Sequence, residues 1–189
     1  MPEQKKYPTV ANDISNKWTN DSQATGGEDN LCANTNSSQV CNYYLQVKTY
    51  GFNIPSDATI TGVFMAVKFR RYRNCAAGNL TFYMIPPTRF GKPNQVITAA
   101  CDNTPPADKC AASVMSSEVD LTNLGSWLPS DFNTELPHMD GGWETWFRHN
   151  GDSYLMESWC DAAYIRVTYT VPTAEEAPRG DGLTWTVTT

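Results

Sequence analysis

The chain is poor in most of what metal, catalytic, membrane and nucleic-acid chemistry requires. It has two histidines in 189 residues, His138 and His149, and neither sits in a metal-spaced motif. No G-x-S-x-G, H-E-x-x-H or phosphate-loop motif occurs, so no enzyme activity is expected. No apolar run approaches the ~20 residues of a membrane-spanning helix. Lysine and arginine total 14 against 20 acidic residues, a net charge of −6. Binding to nucleic acid needs the opposite balance, because phosphates are neutralised by cations. The opening MPEQKKYPTVAND has no apolar core for a signal peptide, so a soluble product made in the cytoplasm is expected. No segment carries a capped 3.6-residue period, so helix is not expected either.

What is present is alternation. In Tyr43–Tyr50, Tyr43, Leu45 and Val47 fall on one side and Gln46 and Lys48 on the other. Asn53-Ile54-Pro55-Ser56-Asp57 breaks the ladder, since Pro55 has no N–H to donate. Thr59–Arg71 then alternates Val63, Met65, Val67 and Phe69 against Phe64, Ala66, Lys68 and Arg70. Further strands are predicted at Leu80–Ile85, Val96–Ala100, Ala112–Leu121, Trp143–His149 and Tyr154–Trp159. Asn150-Gly151-Asp152 reads as a turn, and Trp127–Asn133 as a loop. Many short strands with frequent turn residues predict one all-β domain, an antiparallel jelly-roll-like β-sandwich. Residues 1–17 are expected as an N-terminal arm and 18–171 as the sandwich. Residues 172–189 are expected as a charged, proline-rich linker followed by a strand.

The run Gly51-Phe52-Asn53-Ile54-Pro55-Ser56-Asp57-Ala58-Thr59-Ile60-Thr61-Gly62 resembles GF-x-IPS-x-ATI-x-G, a signature of a β-sandwich family of tailed-bacteriophage structural proteins. Trp18-Thr19-Asn20, Asp29-Asn30, the W-x-P-x-D-x-N element Trp127–Asn133 and the closing strand Asp161–Tyr169 fit the same family. The resemblance implies a non-enzymatic virion protein, needing no cofactor or metal. Such a protein would be a capsid decoration (cement) protein, or alternatively a tail or fibre component. Its partners would be the major capsid protein or sister copies, in a homo-oligomer.

The six cysteines suggest two local bridges, Cys32–Cys41 across ANTNSSQV and Cys101–Cys110 across DNTPPADK, with Cys75 tied to Cys160. Each local bridge would stabilise by about 2–3 kcal/mol. Buried free thiols are the alternative. Disulfides without a signal peptide suit a particle that matures outside the reducing cytosol.

Two segments could bind. Leu183, Trp185 and Val187 share one side of a terminal strand, which is expected to contact a neighbouring copy, or else dock on its own sheet. Trp143 and Trp146, with Asn150 and Asp152, have the aromatic-plus-amide composition of a carbohydrate site, making a surface glycan or host receptor the rival partner. Core or interface packing explains the same aromatics. The basic cluster Lys68, Arg70, Arg71 and Arg73 lies on an alternating strand and reads as a solvated or interface face. Asp131, Glu135, Asp140, Glu144 and Asp152 crowd one region, as acidic loops at a sandwich edge commonly do. Arg179-Gly180-Asp181 reads as a flexible turn.

Overall fold

A computed structural model describes residues 1–14, 18–36, 41–72, 78–85, 96–98, 101–104, 106–134, 144–151 and 157–173. Among these residues twelve strands form two sheets: β1 Glu3–Lys6, β2 Val10–Asp13, β3 Ala33–Asn36, β4 Cys41–Lys48, β5 Thr59–Tyr72, β6 Gly78–Ile85, β7 Val96–Thr98, β8 Cys101–Asp102, β9 Val114–Met115, β10 Val119–Asp120, β11 Glu144–Gly151 and β12 Glu157–Thr170. The fold is all-β; among the described residues the one α-helix is α1 Pro129–Asn133, beside two short 3-10 turns at Asp21–Ala24 and Thr122–Leu124.

The first sheet has the order β1-β12-β5-β10, with β3 also on β12 and both β8 and β9 also on β5. The second has the order β2-β4-β11-β6-β7. Pairing is antiparallel except for the two residues of β8 against β5. The long strands β5 and β12 form the spine, and their register sets the core. Val63 opposes Val167, Met65 opposes Ile165, and Val67 opposes Ala163. All six are fully buried. They share one apolar cluster with Leu45, Val47, Leu80 and Phe82 of the second sheet. Burying each larger side chain contributes about 1.5–3 kcal/mol, which is why a strict period of two holds in these strands.

The predicted strands at 43–50, 59–71 and 80–85 form as β4, β5 and β6, while 112–121 contains two two-residue strands instead of one. Two other expectations are corrected, and residues 1–14 of the expected arm contribute two strands. Glu3–Lys6 pairs with β12, from Glu3↔Thr168 to Lys6↔Ile165, and Val10–Asp13 pairs with β4, from Val10↔Lys48 to Asp13↔Leu45. Each is the edge strand of a different sheet, and buried Pro8 lies where the chain crosses between them. Residues 129–133 turn helically because Pro129 suits a helix start and Asp131 accepts a hydrogen bond from the Leu128 N–H at 2.7 Å. Strand β11 runs through Asn150 and Gly151, where a turn was predicted, because β4 and β6 supply pairing partners on both sides to its end.

No helix of the described residues is long and apolar enough to cross a membrane.

Candidate functional site

The signature residues meet at one end of β5, and they do so by substituting side-chain amides for a missing strand. The stretch Phe52–Ile54 carries no strand ladder. Asn53 is held by Gln4 of β1, whose Oε1 accepts from the Asn53 N–H at 3.1 Å while its Nε2 donates to the Asn53 carbonyl at 2.6 Å. Ile54 is held by Asn133 of α1 in the same way, at 2.8 and 2.7 Å. A carboxamide presents one acceptor and one donor at the spacing of a peptide group, so it can satisfy a backbone that would otherwise be left unpaired. Phe52 and Trp127 each pack on Phe132 with ring centroids 5.6 Å apart. The Trp127 indole donates to the Leu121 carbonyl at 3.1 Å. Signature and W-x-P-x-D-x-N element are thus one interlocked unit.

The two flanking glycines have separate reasons. Gly51 takes φ +61°, the left-handed region that glycine favours. At Gly62 the backbone is ordinary but the space is closed: a Cβ there would stand 2.5 Å from Thr168 Oγ1 and 2.6 Å from Phe64.

A second cluster sits at a β-bulge. Pairing of β12 with β5 slips between Cys160↔Phe69 and Ala162↔Lys68, leaving Asp161 as the extra residue. The slip turns Asp161 fully away from solvent. Its Oδ2 lies 2.6 Å from Lys68 Nζ, whose side chain is 11% exposed. Lys68 Nζ also donates to Asn30 Oδ1 at 2.7 Å. Asn30 stands on an exposed turn before β3, with φ 62°. Burial pushes the Asp161 carboxyl above its ordinary value, against the opposing pull of Lys68. The neighbouring Cys160 thiol is buried and pushed well up for the same reason. Lys68 and Arg71 are therefore buried, not part of a solvated basic face; Arg70 faces Asp102 across 3.9 Å. The sequence signal for the bulge was a lost beat: inward positions run Tyr169, Val167, Ile165, Ala163 and then Cys160.

The outer face of the first sheet carries a cation–carboxylate–phenol network. Arg166 donates to both carboxylate oxygens of Glu118, at 2.8 Å from Nε and 2.5 Å from a terminal nitrogen. Tyr164 donates to the same carboxylate at 3.0 Å. Arg166 also stacks over Phe64, and Lys5 over Tyr164. The Arg166 hydrogen bond holds Glu118 below the usual carboxylate range. Burial, then Glu118, pushes Tyr164 up to about 12.

One open, mostly apolar cleft of about 210 Å³ lies between β5, β7 and β9, lined by Phe69, Arg70, Ile97, Val114 and Met115. No group of three His, Cys, Asp or Glu able to hold a metal occurs among the described residues.

The cysteine pairing departs from expectation. Cys32 is bonded to Cys110, with Cα atoms 5.7 Å apart across a separation of 78 residues. This excludes both Cys32–Cys41 and Cys101–Cys110. Cys101 is itself disulfide-bonded, and Cys160 is a buried free thiol, which excludes the Cys75–Cys160 tie. Proximity in sequence misled because β3 and the 108–113 turn come together only through β12 and β5.

Of the candidate glycan residues, Trp146 and Asn150 are on β11, the central strand of the second sheet. Trp146 is in register with Gln46 and Tyr83, and Asn150 with Asn42 and Asn79. Trp143, Asp152, Cys75, Leu183, Trp185 and Val187 lie outside the described residues. Asp131 of the acidic group is buried as a helix cap, not a loop acid. Compared with protein-family models and with curated protein sequences, the chain matches none.

Proposed function

We propose that this chain is a non-enzymatic structural protein of a tailed-phage virion, a jelly-roll-like decoration protein that works by adhesion. The supporting observation is that the residues carrying the family resemblance meet as one frame. Gly51–Gly62 and Trp127–Asn133 lock together through the Ile54–Asn133 pair, and each contributes packing or backbone pairing. A signature made of such residues describes a scaffold, and the scaffold's binding capacity lies in its rims.

The N-terminal residues form one such rim. They provide the edge strands β1 and β2 of both sheets, one charged (Glu3-Gln4-Lys5-Lys6) and one with half-exposed Val10. A charged edge resists indiscriminate strand addition, leaving specific contacts to the lattice or to a sister copy. The C-terminal alternation Leu183, Trp185 and Val187 is the second contact in this reading.

The test is particle composition. Purified particles should contain the chain at hundreds of copies, as roughly one per lattice position, measured by gel densitometry against the major capsid protein. Deleting residues 173–189 should abolish incorporation and leave a folded protein. Absence of the chain from particles would end the virion reading, and undiminished incorporation of the truncation would remove the terminal clasp.

A further inference from the structure

We propose that Lys68 and Asn30 become joined by an intramolecular isopeptide bond in the folded protein, with Asp161 carrying the proton. This inference stands independently of the virion reading. It rests on three side chains from separate segments brought together: Lys68 on β5, Asn30 on the turn before β3, and Asp161 at the bulge of β12.

Amines do not attack carboxamides in water because the amine is protonated and the partners are apart. This site brings the partners together and sets a proton acceptor beside the amine. Lys68 Nζ is held 2.7 Å from Asn30 Oδ1, which fixes nucleophile and amide together without a diffusional step. The same Nζ is 2.6 Å from Asp161 Oδ2, within the reach a proton acceptor needs. Asp161 is fully buried and Lys68 nearly so, so the proton can pass between them within the site, out of bulk water. Among the described residues, ion-paired Lys5 and Lys109 each meet a glutamate instead, Glu28 and Glu157.

The chemistry balances within the site. The Lys68 ammonium passes one proton to the Asp161 carboxylate, and the freed Nζ lone pair attacks Asn30 Cγ. The new C–N bond forms as the carbonyl electrons move to oxygen. Asp161 then protonates Asn30 Nδ2, the Cγ–Nδ2 bond breaks, and ammonia leaves. The attacking nitrogen returns its extra proton to Asp161, leaving a neutral amide. No oxidant, metal or nucleotide is consumed. The product would tie the turn preceding β3 to the middle of the central strand pair.

Intact-mass measurement of the full-length, disulfide-reduced protein tests this directly. We expect a mass lower than the sequence by one molecule of ammonia. Tryptic mapping should show a branched peptide joining Lys68 to Asn30 and loss of cleavage after Lys68. Lys68→Arg, Asn30→Ala and Asp161→Asn should each return the full sequence mass, with circular dichroism confirming folded β-structure. The wild-type measurement decides the matter even if a variant misfolds. A full-mass wild-type protein after prolonged incubation in the folded state overturns the proposal. So does ammonia loss without a branched peptide, or a branch from Lys68 to Asp161 formed with loss of water.

Discussion

Asn133 and Ile54, 79 residues apart, exchange two hydrogen bonds through the Asn133 carboxamide, one in each direction. The side chain does for Ile54 what a neighbouring strand would do. Its counterpart, Gln4 on Asn53, comes from the other end of the sequence. Together they bind the entry to β5 to both α1 and β1, so the N-terminal strand and the helix are cooperative parts of one frame.

Replacing Asn133 by Ala should therefore cost about 2 kcal/mol, since two backbone groups of Ile54 lose partners at roughly 1 kcal/mol each. Exposed Ser130→Ala, one turn earlier on α1, should stay within about 0.5 kcal/mol of the parent. Urea midpoints at constant slope would measure both. Equal stability of the two variants would mean that water replaces the carboxamide without loss.

Gly62→Ala should destabilise by about 1–3 kcal/mol through overpacking against Thr168 and Phe64. Gly51→Ala should cost about 1 kcal/mol for a different reason, its positive φ, because nothing occupies the space around it. Adding Thr168→Ala should recover part of the first loss and none of the second. Thermal denaturation of the single and double variants reads this out, and absence of coupling between 62 and 168 would refute the steric account.

Peptide mapping without reduction should find Cys32 linked to Cys110 and Cys160 as a thiol. Because that bridge closes a long loop, replacing both cysteines by Ala should lower stability by about 4 kcal/mol in the chain-entropy account. Cys160 should resist iodoacetamide in the native protein and react on denaturation, since burial both blocks access and pushes up the thiol. A Cys32–Cys41 peptide, or rapid native labelling of Cys160, would contradict this arrangement.

The Glu118 network should make stability depend on pH at both extremes, with opposite sense. Glu118 is depressed below 4.5 chiefly by Arg166, so its stabilisation is present above that value and is lost as pH falls through the lower folded value. Tyr164 is raised, by burial and then by Glu118, so its stabilisation holds below pH 10 and is lost as pH rises through about 12. The stability gap between wild type and Glu118→Gln should close in acid. An ultraviolet titration differenced against Tyr164→Phe should place the Tyr164 phenol near 12. A phenol ionising at its ordinary value would mean that the carboxylate contact does not persist in solution.

The amino-acid sequence by itself determined the strands that bury one face and the all-β class that follows from them. Val63, Met65, Val67, Leu45 and Val47 are inward because a period of two on a half-buried strand admits no other register. The terminal edges were less legible. Glu3–Lys6 is entirely polar, and it becomes a strand only because β12 offers a free ladder to it. The tertiary structure alone decided the cysteine pairing, the burial of Lys68 and Asp161, and the partnership of Asn133 with Ile54. Each joins residues whose separation along the chain says nothing of their distance in space. The burial of Lys68 with Asp161 and the Asn133–Ile54 pair also depend on one local irregularity each, the bulge at Asp161 and a stretch at Ile54 without a ladder, which no period of two announces.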